Sequence, residues 1–296
     1  MGNLLSANFA RMFKSRIFRF SVILSAVIFF SNLIDIAPNN IEEGAFRTVP
    51  FAMLIVTVFT VRFVAAEHEA NAIRNKIVVG NSRLSIYLSN FVVCAAGSLI
   101  ICAVSMGSIF ASMLIFIDGA KSGSPPEMTA LCLVGTFFAV VSLAAVLSAL
   151  SLLTPKTAVN AIVCIILVIG LAISNELVGR KLQEPEKMKV LNTGDAVEYE
   201  KMIYGGNRIE ADRFYSENAE YIPNLYYVGG TKRKVYEFSQ NINPISQSQA
   251  IINAVLPYEY KDPTKAKPIG QLPYSIGLTA VVSAIGVLLF SRKDIK

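Results

Sequence analysis

EHEANAIRNKIVVGNSR, residues 67–83, lies between two long apolar runs at 49–66 and 86–117, and its reading decides how the rest of the chain is arranged. A run of about 20 apolar residues is long enough to cross a bilayer. A charged stretch joining two such runs is therefore a connector at a membrane surface, not part of a water-filled core. Working outward, further apolar runs appear at 18–36, 131–153, 158–178 and 274–290. The expected fold is an all-α polytopic membrane protein with six transmembrane helices. Composition agrees: of 296 residues, 53% are hydrophobic and 16% charged, where a soluble globular chain carries about 25% charge. The run at 86–117 is long enough to tilt or to project beyond the lipid.

Orientation follows from the retention of basic residues in the cytoplasm. Alternate loops place Arg11, Lys14, Arg16, Arg19, Arg62, Arg74, Lys76, Arg83, Lys156, Arg292, Lys293 and Lys296 on one side. The short loops of the other side hold only Arg47 and Lys121 beside Asp35, Glu42, Glu43, Asp118 and Glu127. Both termini are thus expected in the cytoplasm of a plasma-membrane protein. Residues 179–273 are then external, a polar segment with nine of the eleven tyrosines. The expected organisation is a cytoplasmic interfacial helix at 1–16, helices 1–5 at 17–178 with the connector at 67–83, a mixed extracellular domain at 179–273 between helices 5 and 6, and helix 6 with a tail at 274–296.

Cys94, Cys102, Cys132 and Cys164 all fall inside apolar runs, so no disulfide framework is expected outside. The net charge of +6 is accounted for by the retained basic loops, and no nucleic-acid partner is expected. The first apolar run is longer than a signal-peptide core and is expected to stay in the mature protein. MGNLLS matches a myristoylation pattern, but one acyl chain adds little to six spans. Leu5, Phe9, Met12 and Phe13 repeat at helical spacing with Arg11, Lys14 and Arg16 interspersed, which suits a helix lying in the interface, a basic flank that sets topology, or both. Arg62 lies about 22 Å from Arg47 along a helix, near enough to the inner surface to snorkel. Gly135, Ala139, Ser142, Ala145, Ser148 and Ala149 gather small side chains on one face of the fourth run, for packing within the subunit or between subunits. Pro125, Pro126 and Pro155 bracket that run. Externally, Gly205-Gly206 and Gly229-Gly230 mark turns, and 246–256 reads as a short helix with Ile251, Ile252 and Val255 apolar.

Several chemistries lack their residues. The single histidine, His68, rules out an HExxH site, and no metal is expected. GNSRL at 80–84 lacks the second glycine of a nucleophile elbow and has no second histidine as base. No GxxxxGK[ST] cradle occurs, and Asp35, Asp118 and Glu176 sit near span ends instead of forming a mid-membrane relay. The chain is expected not to be an enzyme, to hold no cofactor, and to take any energy from a partner.

The connector itself is expected to leave the bilayer as a helix, turn near Gly80-Asn81, and restart with Ser82 as N-cap. Glu69, Ile73, Lys76 and Ile77 fall three to four residues apart, mixing charged and apolar groups on one face. That mix suits either docking on a soluble protein or a solvated connector. The stretch resembles the cytoplasmic segment of permeases in the type-2 membrane family of ABC exporters: an acidic start, a small-residue step, an apolar run and a closing Ser-Arg, matched at Glu67, Glu69, Ile73, Val78, Ser82 and Arg83. The family's Gly-Thr step is Asn71-Ala72 here and its Pro is Gly80. YVGGTKRKVYEFSQNINPISQ, residues 227–247, is similar to an external segment of such permeases from Gram-positive bacteria.

The resemblance implies a permease subunit of an ATP-driven exporter, working as a homodimer or with a second permease subunit in the lipid bilayer. A separate dimer of cytoplasmic ABC ATPase subunits would bind ATP and Mg. Glu67, Glu69, Ile73, Arg74, Lys76, Ser82 and Arg83 would form the ATPase-coupling contact, with the loop 155–157 as a second one and the N-terminal helix as a brace. The cargo would be amphipathic or hydrophobic: an antimicrobial or toxin peptide, a lipid or a drug. The alternative is a membrane receptor or sensor whose extracellular domain binds a peptide or antibiotic, its tyrosines forming either the recognition surface or that domain's core.

Overall fold

The computed structural model describes residues 2–31, 40–116, 123–256 and 268–292. The end of the first apolar run, Asp35, Asp118, Lys121, residues 257–267, Lys293 and Lys296 lie outside the described residues. In chain order the elements are α1 (Gly2–Lys14), α2 (Arg16–Ser31), α3 (Ile41–Glu69), α4 (Ala72–Val78), α5 (Arg83–Phe116), α6 (Pro126–Leu153), α7 (Thr157–Gln183), β1 (Lys187–Val190), α8 (Thr193–Tyr204), α9 (Arg208–Asn218), β2 (Glu220–Pro223), α10 (Gly230–Ile242), α11 (Pro244–Val255) and α12 (Pro268–Arg292). Among the described residues five helices, α3, α5, α6, α7 and α12, are long and apolar enough to cross a membrane, and the chain is an all-α polytopic membrane protein. α2, with 16 residues described, falls short of that length.

The chain divides into two compact units, 1–175 with 239–296, and 176–238. In the first, α3 begins eight residues before its apolar run. Asn40 caps it by accepting from the Glu43 N–H at 2.7 Å, and Glu43 pairs with Arg47 one turn on. Acidic residues in a first turn also suit the helix dipole. The core is built where α3, α5 and α6 meet, around Met53, Val56, Phe59, Ile101, Leu143 and Leu147. Two serines at these contacts bond on their own helix: the Ser98 hydroxyl donates to the Cys94 carbonyl at 2.7 Å and Ser105 to the Ile101 carbonyl at 2.8 Å. Small residues that carry no unsatisfied donor let helices approach closely in lipid. On α6, Gly135, Ala139, Ser142, Ala145, Ser148 and Ala149 are all buried inside the chain, so the small face packs within the subunit.

α11 covers a different area. Ile251, Ile252 and Val255 bury against Phe46 of α3 and Cys132 of α6, and Asn40 donates to the Val255 carbonyl at 3.1 Å. The helix expected at 246–256 therefore belongs to the membrane bundle. Its apolar face, which a small polar domain could not cover, decides this. The separate compact unit is accordingly shorter than 179–273, ending at Phe238.

In that unit, β1 and β2 pair antiparallel from Lys187 opposite Pro223 to Val190 opposite Glu220, with α8 and α9 between them. The Tyr215 hydroxyl donates to the Lys189 carbonyl at 2.8 Å, and Asn224 ties the strand ends by donating to the Pro185 carbonyl at 3.0 Å. Little is buried: Tyr204, Leu225 and Tyr226 are all exposed, Leu225 at 94%. Among the described residues, the half-buried Tyr199 and Tyr215 rings pack 5.6 Å apart, and no tyrosine of the unit is fully buried. Lys181 lies 5.5 Å over the Tyr226 ring and Arg233 5.5 Å over Tyr227, contacts of cation and ring face.

Candidate functional site

The connector is a short helix held between two left-handed residues. α3 ends at Glu69; Asn71 then adopts φ 51°, and after α4 Gly80 adopts φ 91°. Asn is among the few side chains that tolerate this region, and glycine enters it freely. Ser82 accepts from the Ser85 N–H at 3.2 Å and so caps α5.

Beneath α4 lies a buried ionic cluster. Glu67, fully buried at the end of α3, pairs through Oε1 with Arg11 of α1 and with Lys76 of α4, and its Oε2 accepts from Asn90 of α5 at 2.7 Å. Lys76 also donates to the Asn8 side-chain carbonyl at 3.0 Å, and Asn8 donates to the Ser89 hydroxyl at 3.1 Å. Four helices thus share one carboxylate. A buried charge is tolerated only when paired and hydrogen-bonded on its remaining lone pairs, and Glu67 meets that condition. Burial pushes the Lys76 ammonium below its ordinary range, while the neighbouring Glu67 pulls it back up.

The residues expected to form one contact face therefore divide. Glu67 and Lys76 point into the cluster, and Ile73 is buried at 2% exposure among the core side chains. Glu69 is exposed but bonded internally, 3.6 Å from Arg62 and accepting from the Thr157 hydroxyl at 2.8 Å. This last bond joins the α6–α7 loop to the end of α3, and His68 adds a contact of 3.1 Å to the Ser151 carbonyl. Arg83 donates to the carbonyls of Phe290 and Ser291 at 3.2 and 2.9 Å, fastening the end of α12 to the start of α5. Ser82 is a cap. Arg74 is the exposed charge of the expected set that has no ion pair among the described residues.

What the sequence reasoning misses is the exposed tip, of which it matches Val78 only as a position of the family pattern. Val78 is 78% exposed and Val79 81%, beside exposed Asn75 and Gly80. The signal was present as two adjacent valines before a glycine, but helical spacing assigned the apolar role to Ile73 and Ile77. Scattered exposed apolar residues are ordinary; here two adjacent ones crown a braced helix. No protein-family model matches the chain, and no curated protein sequence matches it.

Proposed function

We propose that this chain is the membrane-spanning permease subunit of an ATP-driven ABC exporter, and that α4 is the element through which a separate ATPase subunit moves it. The observation that carries the proposal is an outward valine tip on a helix braced to α1, α3 and α5 by one buried carboxylate. A force on such a tip is delivered to three other helices at once. Arg74, Asn75, Val78 and Val79 form the docking face, and burying each valine would contribute about 1.5–3 kcal/mol. Glu67, Lys76, Ile73 and Arg83 hold the tip in place, and the exposed Pro155 and Lys156 beside the Thr157–Glu69 bond supply a second contact. ATP and Mg belong to the partner.

Six crossings also fit this arrangement. α2 packs along α3 and α5, with Phe18 5.5 Å from Phe59 near the connector end and Phe30 5.9 Å from Phe116 at the far end. It climbs the height of the bundle although only 16 of its residues are described. The connector, α1 and the end of α12 then share the cytoplasmic side. A second copy or a second permease completes the assembly, which exports an amphipathic or hydrophobic cargo.

The test is purification of the full chain in mild detergent with mass spectrometry of what accompanies it. A stoichiometric ATPase that is lost in the double variant Val78→Asp/Val79→Asp, with the monodisperse profile kept, supports the reading. Its repeated absence from the wild-type preparation, in a detergent shown to preserve such complexes, refutes it. The exposed Leu225, Tyr204 and Tyr226 favour the receptor reading in that event, since a tyrosine-rich outer surface offers large amphipathic contact area.

A further inference from the structure

At the connector end, away from the valine tip, a cavity of about 370 Å³ opens between α1, the start of α2 and α3. Its polar lining is Ser15 and three cations, Arg11, Lys14 and Arg62. Its apolar lining is Ile17, Phe63 and Ala66. No acidic side chain lines it. Glu67 and Glu69 draw on Arg11 and Arg62 from outside the cavity, whereas Lys14 has no ion pair among the described residues. Two further nitrogens of Arg11, Nε and Nη2, are buried without a hydrogen-bond partner, while its guanidinium carbon sits 4.2 Å over the Phe63 ring.

The height of this cavity is set by the chain. Arg62 lies seven residues before the end of α3, about 10 Å along the helix, and α1 carries Phe9 and Met12 toward the bundle with Lys14 at its last turn. On the proposed membrane arrangement, this is the level at which α3 passes from hydrocarbon to headgroups. Three cations beside apolar side chains at that depth match a ligand that is anionic at one end and hydrocarbon at the other.

We propose that this cavity binds the phosphate of an anionic phospholipid, with Lys14 and Arg62 as its principal partners and the first acyl carbons against Phe63 and Ile17. Free phosphate shares the charge but leaves Phe63, Ile17 and Ala66 uncovered. The site is separate from the Arg74–Val79 face, so it does not depend on an ATPase partner.

The experiment is native mass spectrometry of the full chain released from nanodiscs made of equal parts phosphatidylglycerol and phosphatidylcholine. The expected result is retention of phosphatidylglycerol several-fold over phosphatidylcholine, reduced at least threefold in Lys14→Gln/Arg62→Gln, restored in Lys14→Arg/Arg62→Lys, and unchanged in Arg74→Gln. Lys14→Gln alone, which removes no ion pair, is expected to fall partway and guards against loss of fold in the double variant. Equal retention of the two lipids overturns the proposal, as does a loss in Arg74→Gln matching that of the cavity variants. Displacement of the lipid by inorganic phosphate at millimolar concentration overturns the lipid assignment and leaves a free-phosphate site.

Discussion

Glu67 joins α1, α3, α4 and α5 through a single side chain. Removing its charge strands Lys76 and Arg11 against one another under the connector. Breaking a buried pair from one side costs about 3–5 kcal/mol, and partial exposure of both cations places Glu67→Gln near the lower end. A denaturant titration followed by helical circular dichroism should read about 3 kcal/mol lost, and Lys76→Met in the same chain should recover part of it, the positive coupling of a shared network. Gly97 makes a different demand. A Cβ there would lie 2.5 Å from the Phe59 ring and 3.0 Å from the Met12 sulfur, so α5 approaches α3 and α1 over a glycine. Gly97→Ala should cost about 1–3 kcal/mol of overpacking, with Phe59→Leu in the same chain relieving it. If Gly97→Ala alone is neutral in that titration, the close approach does not hold in solution.

At the scale of the element, the connector's shape rests on its two left-handed corners. If α4 docks the proposed ATPase partner, Asn71→Gly should leave that association and the chain's stability close to wild type, since glycine enters the left-handed region freely. Asn71→Val, with a β-branched side chain at φ 51°, should cost about 1–2 kcal/mol and displace α4. Gly80→Val should act the same way from the other end. The readout is the fraction of chain that copurifies with the proposed ATPase partner at fixed detergent and protein concentration. Equal association for Asn71→Gly and Asn71→Val would show that the corner does not set the tip's position. The turn at Gly80 and the cap at Ser82 were legible in the sequence because both are local: a positive φ needs glycine, and a hydroxyl before a helix meets an orphan N–H. Which face of α4 turns outward was not legible. Spacing grouped Glu69, Ile73, Lys76 and Ile77 as one face, yet it carries no information about the carboxylate and apolar core waiting beneath them.

For the whole molecule, the arrangement of ends is the sharpest consequence. Arg83 holds the end of α12 at the start of α5, and Glu67 holds α1 to the connector, so α1 and the end of α12 share one end of the bundle. All four native cysteines are buried, which leaves the chain silent to an impermeant maleimide. On the proposed orientation, Ser6→Cys and Ser291→Cys should both label only after cells are permeabilised, and Tyr204→Cys should label in intact cells. Labelling of Ser6→Cys and Ser291→Cys from opposite sides would leave five crossings and remove α2 from the membrane. The sequence by itself determined that the chain is helical and membrane-spanning, where most apolar runs lie, and that a charged connector joins two of them. Length, hydropathy and turn residues are local properties that act before any tertiary contact forms. Only the tertiary structure decided that Glu67, Ile73 and Lys76 face inward, that Val78 and Val79 face out, and that α11 joins the bundle. Each of those outcomes depends on which charges and apolar faces meet across distances of tens of residues, where pairing a buried carboxylate or covering Ile251 outweighs local spacing.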